Sequence, residues 1–228
     1  MRLHSRPRHV ASVTLVVAAL LGACGSESTA PAASTGPATA PTPPAPAAPT
    51  AEAPAAAAPS GVETLQADPA ASSVGFTGSK LTGSHDGTFT RFTATVGLVG
   101  GKAEGSSVSV DIDMASLAIE PERLRGHLLS PDLFDAAQFA RATFASSAIV
   151  PATAPGATHT VTGNLTLHGV TKSVAFPATI RVADDAVEAR AEFTLNRRDF
   201  GIIYPGMPDD LIRDEVPLRL QLRAPRSR

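Results

Sequence analysis

Val161-Thr162-Gly163-Asn164-Leu165-Thr166-Leu167, followed by His168-Gly169 and then Val170 to Val182, decides the fold. Val161, Gly163, Leu165 and Leu167 alternate with Thr160, Thr162, Asn164 and Thr166. After the turn, Val174, Phe176, Ala178, Ile180 and Val182 oppose Ser173, Ala175, Pro177, Thr179 and Arg181. A repeat of two puts one apolar face on each strand. One dry face and one wet face is the mark of antiparallel sheet; strands buried on both sides read as continuous apolar runs. The turn His168-Gly169-Val170-Thr171 is short enough to make the two strands hairpin neighbours, with His168 and Lys172 serving the turn.

The same period recurs on both sides. Val108, Val110 and Ile112 alternate with Ser107, Ser109 and Asp111. Ala189, Ala191, Phe193 and Leu195 oppose Arg190, Glu192, Thr194 and Asn196, and Leu218, Leu220 and Leu222 oppose Pro217, Arg219, Gln221 and Arg223. Further strands are expected at Ser73–Leu81, Phe89–Leu98 and Thr143–Val150, which makes eight. Eight one-sided antiparallel strands can close into a barrel and so remove exposed edges. One stretch breaks the period. In Pro121–Phe139 the spacing of Leu124, Leu128, Leu129, Leu133 and Phe134 predicts two short helices, with Ser130 capping the second and Pro131 in its first turn. They are expected over a barrel mouth or flank.

Residues ahead of this body read differently. Arg2, Arg6 and Arg8 precede Val10–Ala23, a run of 14 residues broken only by Ser12 and Thr14. That is the layout of a secretory signal, too short for a membrane span of about 20 residues. Leu21-Gly22-Ala23-Cys24 resembles the bacterial lipobox, and Cys24 is the single cysteine of the chain. The expected organisation is a signal peptide over residues 1–23, a lipidated Cys24, and an exported protein held by its acyl anchor. Gly25 rather than Asp after the cysteine points to the outer membrane, facing the periplasm. With plain cleavage near Ala23 as the alternative, Cys24 is incidental. Ser26–Ser60 contains 14 Ala and 9 Pro in 35 residues, with no aromatic and no Leu, Ile, Val or Met. Such a stretch cannot bury enough apolar surface to offset its ordering entropy, so residues 24–61 read as a disordered tether and 62–228 as one domain. Net charge is −2 and no basic stripe is interleaved with aromatics, which excludes a nucleic-acid binder. Arg223, Arg226 and Arg228 read as a solvated tail.

The body is similar to the YceI-like family of exported bacterial proteins. Ser73-Val74-Gly75-Phe76, Gly87-Thr88-Phe89 with Phe92, Arg125 to Asp135, Ala142-Thr143-Phe144, Val161 to Lys172, and Asn196-Arg197-Arg198-Asp199-Phe200-Gly201-Ile202 carry the likeness in order and spacing. The resemblance implies an all-β, eight-stranded, lipocalin-like barrel whose interior holds an isoprenoid or similar lipid tail. Gly83-Ser84-His85-Asp86-Gly87 departs from it, being polar and turn-like where the family is apolar.

An eight-stranded barrel either fills with side chains or holds one slender ligand. Gly163, Ala178, Ala189 and Ala191 are small inward positions, and the chain has no Trp. A cavity lined by Phe76, Phe92, Phe134, Phe144, Phe176, Phe193 and Ile180 is therefore expected. His127, Arg198, Asp199 and Tyr204 are the candidates for a lipid head group, Arg198 because its planar fork suits a phosphate. A structural Arg–Asp pair pinning a strand end is the competing reading of Arg197-Arg198-Asp199. His85, Asp86 and His127 could converge, but no histidine spacing suits a metal, no nucleophile or phosphate-loop motif occurs, and no catalytic residue or cofactor is expected. The function read here is non-enzymatic binding, transport or storage of an isoprenoid or fatty-chain lipid. The alternatives are a cell-envelope stress or interaction module with a filled core, and an enzyme acting on a lipid head group.

Overall fold

The structure, a computed structural model, describes residues 30–38, 61–153 and 156–226. Its strands are β1 (Ser34–Pro37), β2 (Val62–Gln66), β3 (Ser73–Lys80), β4 (Gly83–Phe89), β5 (Phe92–Val99), β6 (Lys102–Asp113), β7 (Leu117–Ala118), β8 (Arg141–Pro151), β9 (His159–Leu167), β10 (Val170–Val182), β11 (Ala186–Asn196), β12 (Gly206–Met207), β13 (Asp210–Leu211) and β14 (Glu215–Pro225). One α-helix, α1 (Glu122–Leu129), interrupts them. The signal peptide and Cys24 lie outside the described residues.

The eight strands expected from the alternation are all present, as β3, β5, β6, β8, β9, β10, β11 and β14. They run antiparallel along one curled path, β2-β5-β6-β8-β9-β10-β11-β14-β3-β4-β7. Between β9 and β10 the chain turns on two residues, His168 at φ 50° and Gly169 at φ 73°. Two positive values in succession match the twist of the strands they join. The His168 ring packs on Phe139 with centroids 4.6 Å apart, and its Nδ1 lies 3.2 Å from the carbonyl oxygen of Phe200.

The ladder does not rejoin its own ends. β2 and β7 terminate the path. The curl instead brings β14 back beside β2, where Asp68 N–H donates to Arg223 O at 2.8 Å. Arg226 grips Glu63 through Nε and Nη2 and donates through Nη1 to Ala183 O at 3.0 Å. Arg223 is paired with Asp185 at 2.9 Å. These arginines are thus part of the closure and not a solvated tail.

Three other expectations need correction. Residues 83–87, read as turn-like, lie in β4, paired with β3 from Val74↔Phe89 to Lys80↔Gly83. Ser84, Asp86 and Thr88 face outward, where Asp86 accepts from Thr77 Oγ1 at 2.6 Å and from Arg219 at 2.7 Å. The second helix after Ser130 does not form. Ser130 is extended (ψ 169°), as a residue before proline tends to be, and its hydroxyl donates to His127 O, so it ends α1 instead of starting a helix. Ser34–Pro37, inside the expected tether, pairs antiparallel with β10 from Ser34↔Ala175 to Pro37↔Lys172.

The long excursion between β6 and β8 closes on itself, with Met114 N–H donating to Ala140 O at 3.0 Å. It carries β7 and α1 over one end of the barrel. Leu124, Leu128, Leu129 and Phe134 pack there against Phe76, Leu117 and Ile119. Arg125 fastens the helix from below, donating to Leu117 O at 2.7 Å and Ala115 O at 2.8 Å.

Gly163 is small for a reason other than leaving space. The Phe144 ring lies across it, and a Cβ there would sit 2.6 Å from that ring and 2.4 Å from Ala145 O. Because the backbone oxygen cannot step aside, Gly163→Ala is expected to cost about 1–3 kcal/mol of stability, read as a lowered urea midpoint at unchanged slope.

Four surface aspartates have pKa values held below the ordinary carboxylate value by donors. Thr77 and then Arg219 act on Asp86, Arg91 on Asp113, Arg223 on Asp185, and Lys80 on Asp210. A depressed folded-state pKa means the stabilisation is complete above the unfolded value and is lost as pH falls through the folded one. The urea midpoint should therefore be insensitive to these groups above about pH 5 and decline below about pH 4.

Candidate functional site

The inward faces of the strands leave two separate cavities, stacked along the barrel axis. The upper one, about 150 Å³, lies under α1 and is lined by Phe76, Phe134, Leu165, Leu195, Phe200 and Leu218 among others. The lower one, about 70 Å³, is lined by Val96, Leu98, Val108, Ile180, Ala189 and Ala191 among others. Between them stand three phenylalanines. Phe176 and Phe193 are stacked with centroids 4.1 Å apart and planes 8° apart, and Phe144 leans on Phe176 at 5.6 Å. Phe176 and Phe193 are both buried. The small residues Ala178, Ala189 and Ala191 line the lower cavity as expected of them, whereas Gly163 is covered by Phe144.

Beside the upper cavity, at the α1 end, is an open cleft of about 420 Å³. Phe76, Gly78, Leu128, Leu133 and Ile212 line both. On its other side the cleft is bounded by Lys80, His85, Arg123 and His127, so a greasy interior lies next to a basic rim. Lys80 is fixed by Asp210, which also accepts from Thr82 N–H at 3.1 Å and Thr82 Oγ1 at 2.9 Å. This pins the β3–β4 turn to the β12–β13 hairpin. Leu81, Ile203, Met207 and Leu211 are exposed around that end.

The residues expected to line a cavity separate into four groups. Phe76 and Phe134 line the upper cavity, and Phe144, Phe176 and Ile180 the lower one. Phe193 completes the partition. Phe92 packs instead against Ala94, Val110 and Leu222.

The head-group candidates also divide. His127 lines the cleft, and its ring meets that of Tyr204 edge-on at 5.2 Å. His127 Nδ1 lies 4.0 Å from Asp132. Arg198 and Asp199 are directed elsewhere. Arg198 is half-exposed and 3.6 Å from Asp214, and Asp199 accepts from Thr35 Oγ1 at 2.8 Å.

The pinning arginine is Arg197. It is 6% exposed and donates to Ile202 O at 2.7 Å, to Arg213 O at 3.1 Å and to Asp214 at 2.8 Å. Burial lowers its pKa from the ordinary value, and the Asp214 charge opposes that shift. It lines the upper cavity and holds the chain after β11 to the chain before β14.

Lys80 and Arg123 gave no signal in the sequence, because lone basic residues beside turns are ordinary surface features. His85 does reach the same cleft as His127. Among the described residues no group of three His, Cys, Asp or Glu side chains could hold a metal ion, and no helix is long and apolar enough to cross a membrane.

Several known proteins share this architecture. A UPF0312 protein of Pseudomonas fluorescens is 35% identical over 138 residues, covering 58% of this chain and 71% of that protein. A UPF0312 protein of Pseudomonas putida is 40% identical over 126 residues, covering 53% of this chain and 65% of the relative, just under two thirds of its length. Among solved structures, BcnA of Burkholderia cenocepacia superposes with a TM-score of 0.61 at 29% identity, covering 69% of this chain and 99% of BcnA. A polyisoprenoid-binding domain from Saccharophagus degradans, implicated in plant cell wall breakdown, superposes with a TM-score of 0.57 at 18% identity, covering 72% and 98% of the two chains. That last likeness is one of fold. The YceI-like domain matches residues 65–224, which is most of the body and takes in both cavities, the phenylalanine partition and the basic cleft; the chain belongs to the YceI-like family.

Proposed function

We propose that the barrel receives the apolar chain of an amphiphilic lipid, an isoprenoid being the best-matched class, and that the basic cleft receives its head group. The observation that carries this reading is that an apolar cavity under α1 shares Phe76, Gly78, Leu128, Leu133 and Ile212 with a cleft edged by Lys80, His85, Arg123 and His127. A tail buried in the interior gains about 25 cal/mol for each Å² of apolar surface removed from water. The cleft offers an anionic head the positive charge it requires, Arg123 being exposed at its edge. The polyisoprenoid-binding domain among the structural neighbours supports the same ligand class.

The arrangement serves carriage or storage of the lipid rather than chemistry on it. With Cys24 acylated, the protein works as an exported lipoprotein on the periplasmic side of an outer membrane. A second reading, a filled-core interaction module, draws on Phe144, Phe176 and Phe193, which block the middle of the barrel.

Native purification followed by lipid extraction and mass spectrometry separates the two. The lipid reading expects a co-purifying polyprenyl or fatty-chain species in stoichiometric amount, and uptake of added polyprenol by stripped protein. A barrel that is empty and takes up nothing leaves the filled-core reading. Two substitutions localise the ligand. Ala191→Phe fills the lower cavity and is expected to lower affinity for a long polyprenol by roughly tenfold, with the far-ultraviolet dichroism unchanged. Arg123→Ala is expected to weaken a prenyl phosphate by about three- to tenfold while leaving the corresponding alcohol unaffected.

A further inference from the structure

β10 changes neighbours part-way along. On one side it pairs with β9 from Val170↔Leu167 to Ala178↔His159. On the other it pairs with β11 only over Thr179↔Arg190 to Val182↔Val187. Pro177, which has no N–H to give a ladder, stands two residues beyond the last pair. Beyond it the two strands part, and β1 lies between them. β1 pairs with Lys172–Ala175 on β10. The residues leading into it bond to β11, Ala33 N–H to Thr194 O at 2.8 Å and Thr194 N–H to Pro31 O at 2.9 Å.

From the part of the seam that β1 leaves uncovered, an open groove of about 560 Å³ runs across β11 and β14 to β3 and β4. Pro31 stands beside it, and its lining includes Ala178, Ala191 and Leu220, which also line the lower cavity. Behind the same seam are the two stacked rings. Phe176 belongs to β10 and Phe193 to β11, so the stack spans two strands that share no backbone ladder at that level.

β1 is lightly held. Ser34, Thr35 and Pro37 are exposed, and the contact with the core that contains both phenylalanines comes from Ala33, just ahead of the strand. A strand with few buried contacts belongs to the low-stability end of a structure.

We propose that the β10–β11 seam is a lateral portal for a long apolar chain, and that β1 is its removable closing strand. With β1 docked, β10 and β11 are bridged, Phe176 and Phe193 stay stacked, and the interior is two short cavities. With β1 released, the strands part, the rings separate, and the cavities join into one tube that a long chain can occupy from the side. A short chain fits the upper cavity alone and needs no such opening. This inference rests on the lipid-binding reading above and adds to it the route and the gate.

The test locks the strand. Thr35 and Asp199 are in side-chain contact, so Thr35→Cys with Asp199→Cys, in a full-length chain carrying Cys24→Ser, places one disulfide across the closed seam. Uptake of solanesol, a long polyprenol, and farnesol, a short one, is followed for the oxidised and reduced forms of the same protein. The oxidised form is expected to load solanesol at least about tenfold more slowly than the reduced form, with farnesol loading equal in both. A chain lacking residues 30–37 should load solanesol at least as fast as the reduced form. Equal solanesol rates with and without the disulfide overturn the portal and leave the lipid-binding reading standing. Failure of the two thiols to join either directly or through a short bis-maleimide crosslinker overturns the docked strand and the gate with it. Failure of every form to take up either prenol overturns the lipid-binding reading and the portal together.

Discussion

The partition of the interior follows from a single backbone constraint: β10 cannot satisfy β11 along its whole length. Pairing holds from Thr179 to Val182 and is already lost two residues away, at Pro177. Everything above that level must be bridged by other means, and the chain supplies two. One is a borrowed strand from the N-terminal segment, which satisfies backbone groups that would otherwise lack partners. The other is the Phe176–Phe193 stack, which joins the strands from inside by ring contact. The division between an upper and a lower cavity is the result.

Most of the fold could be read from the period-two pattern because burial on one face is what that pattern encodes. β3, β5, β6, β8, β9, β10, β11 and β14 all announced themselves in this way. β4 did not, because His85 and Asp86 belong to an outer face and a mouth, where polar residues are the rule. The helix expected after Ser130 rested on the spacing of Leu133 and Phe134. Those two do point into the core, but irregular turns bring them there as well as a helix would. β1 was hidden in an alanine- and proline-rich stretch. Its pairing comes from vacant backbone partners on β10 and β11, a property of tertiary structure that composition does not report.

The site was legible in outline and not in detail. Alternation identifies inward residues, and five of the seven proposed lining residues do line a cavity. It does not say which inward residues meet each other, so the phenylalanine partition was out of reach. His127 reaches the cleft and Tyr204 packs on its ring, since a helix and a loop near a mouth are natural places for polar contacts. Arg198 was preferred to Arg197 although only one of two adjacent arginines can turn inward at the end of β11. The buried one ties together three backbone carbonyls and Asp214. A buried guanidinium needs those partners, since an unpaired charge in the interior is costly.

The return of β14 to β2 joins the sheet by one backbone hydrogen bond, Asp68 to Arg223, and an arginine–carboxylate grip at Glu63 and Arg226 in place of a continuous ladder. Dissolved ions weaken attraction between partly exposed charges over distances of about 8 Å at physiological strength, and they leave amide–carbonyl pairing almost untouched. The join between the first and last strands of the body is accordingly the part of the barrel wall that responds to the ionic medium, tightening in dilute solution and slackening in brine.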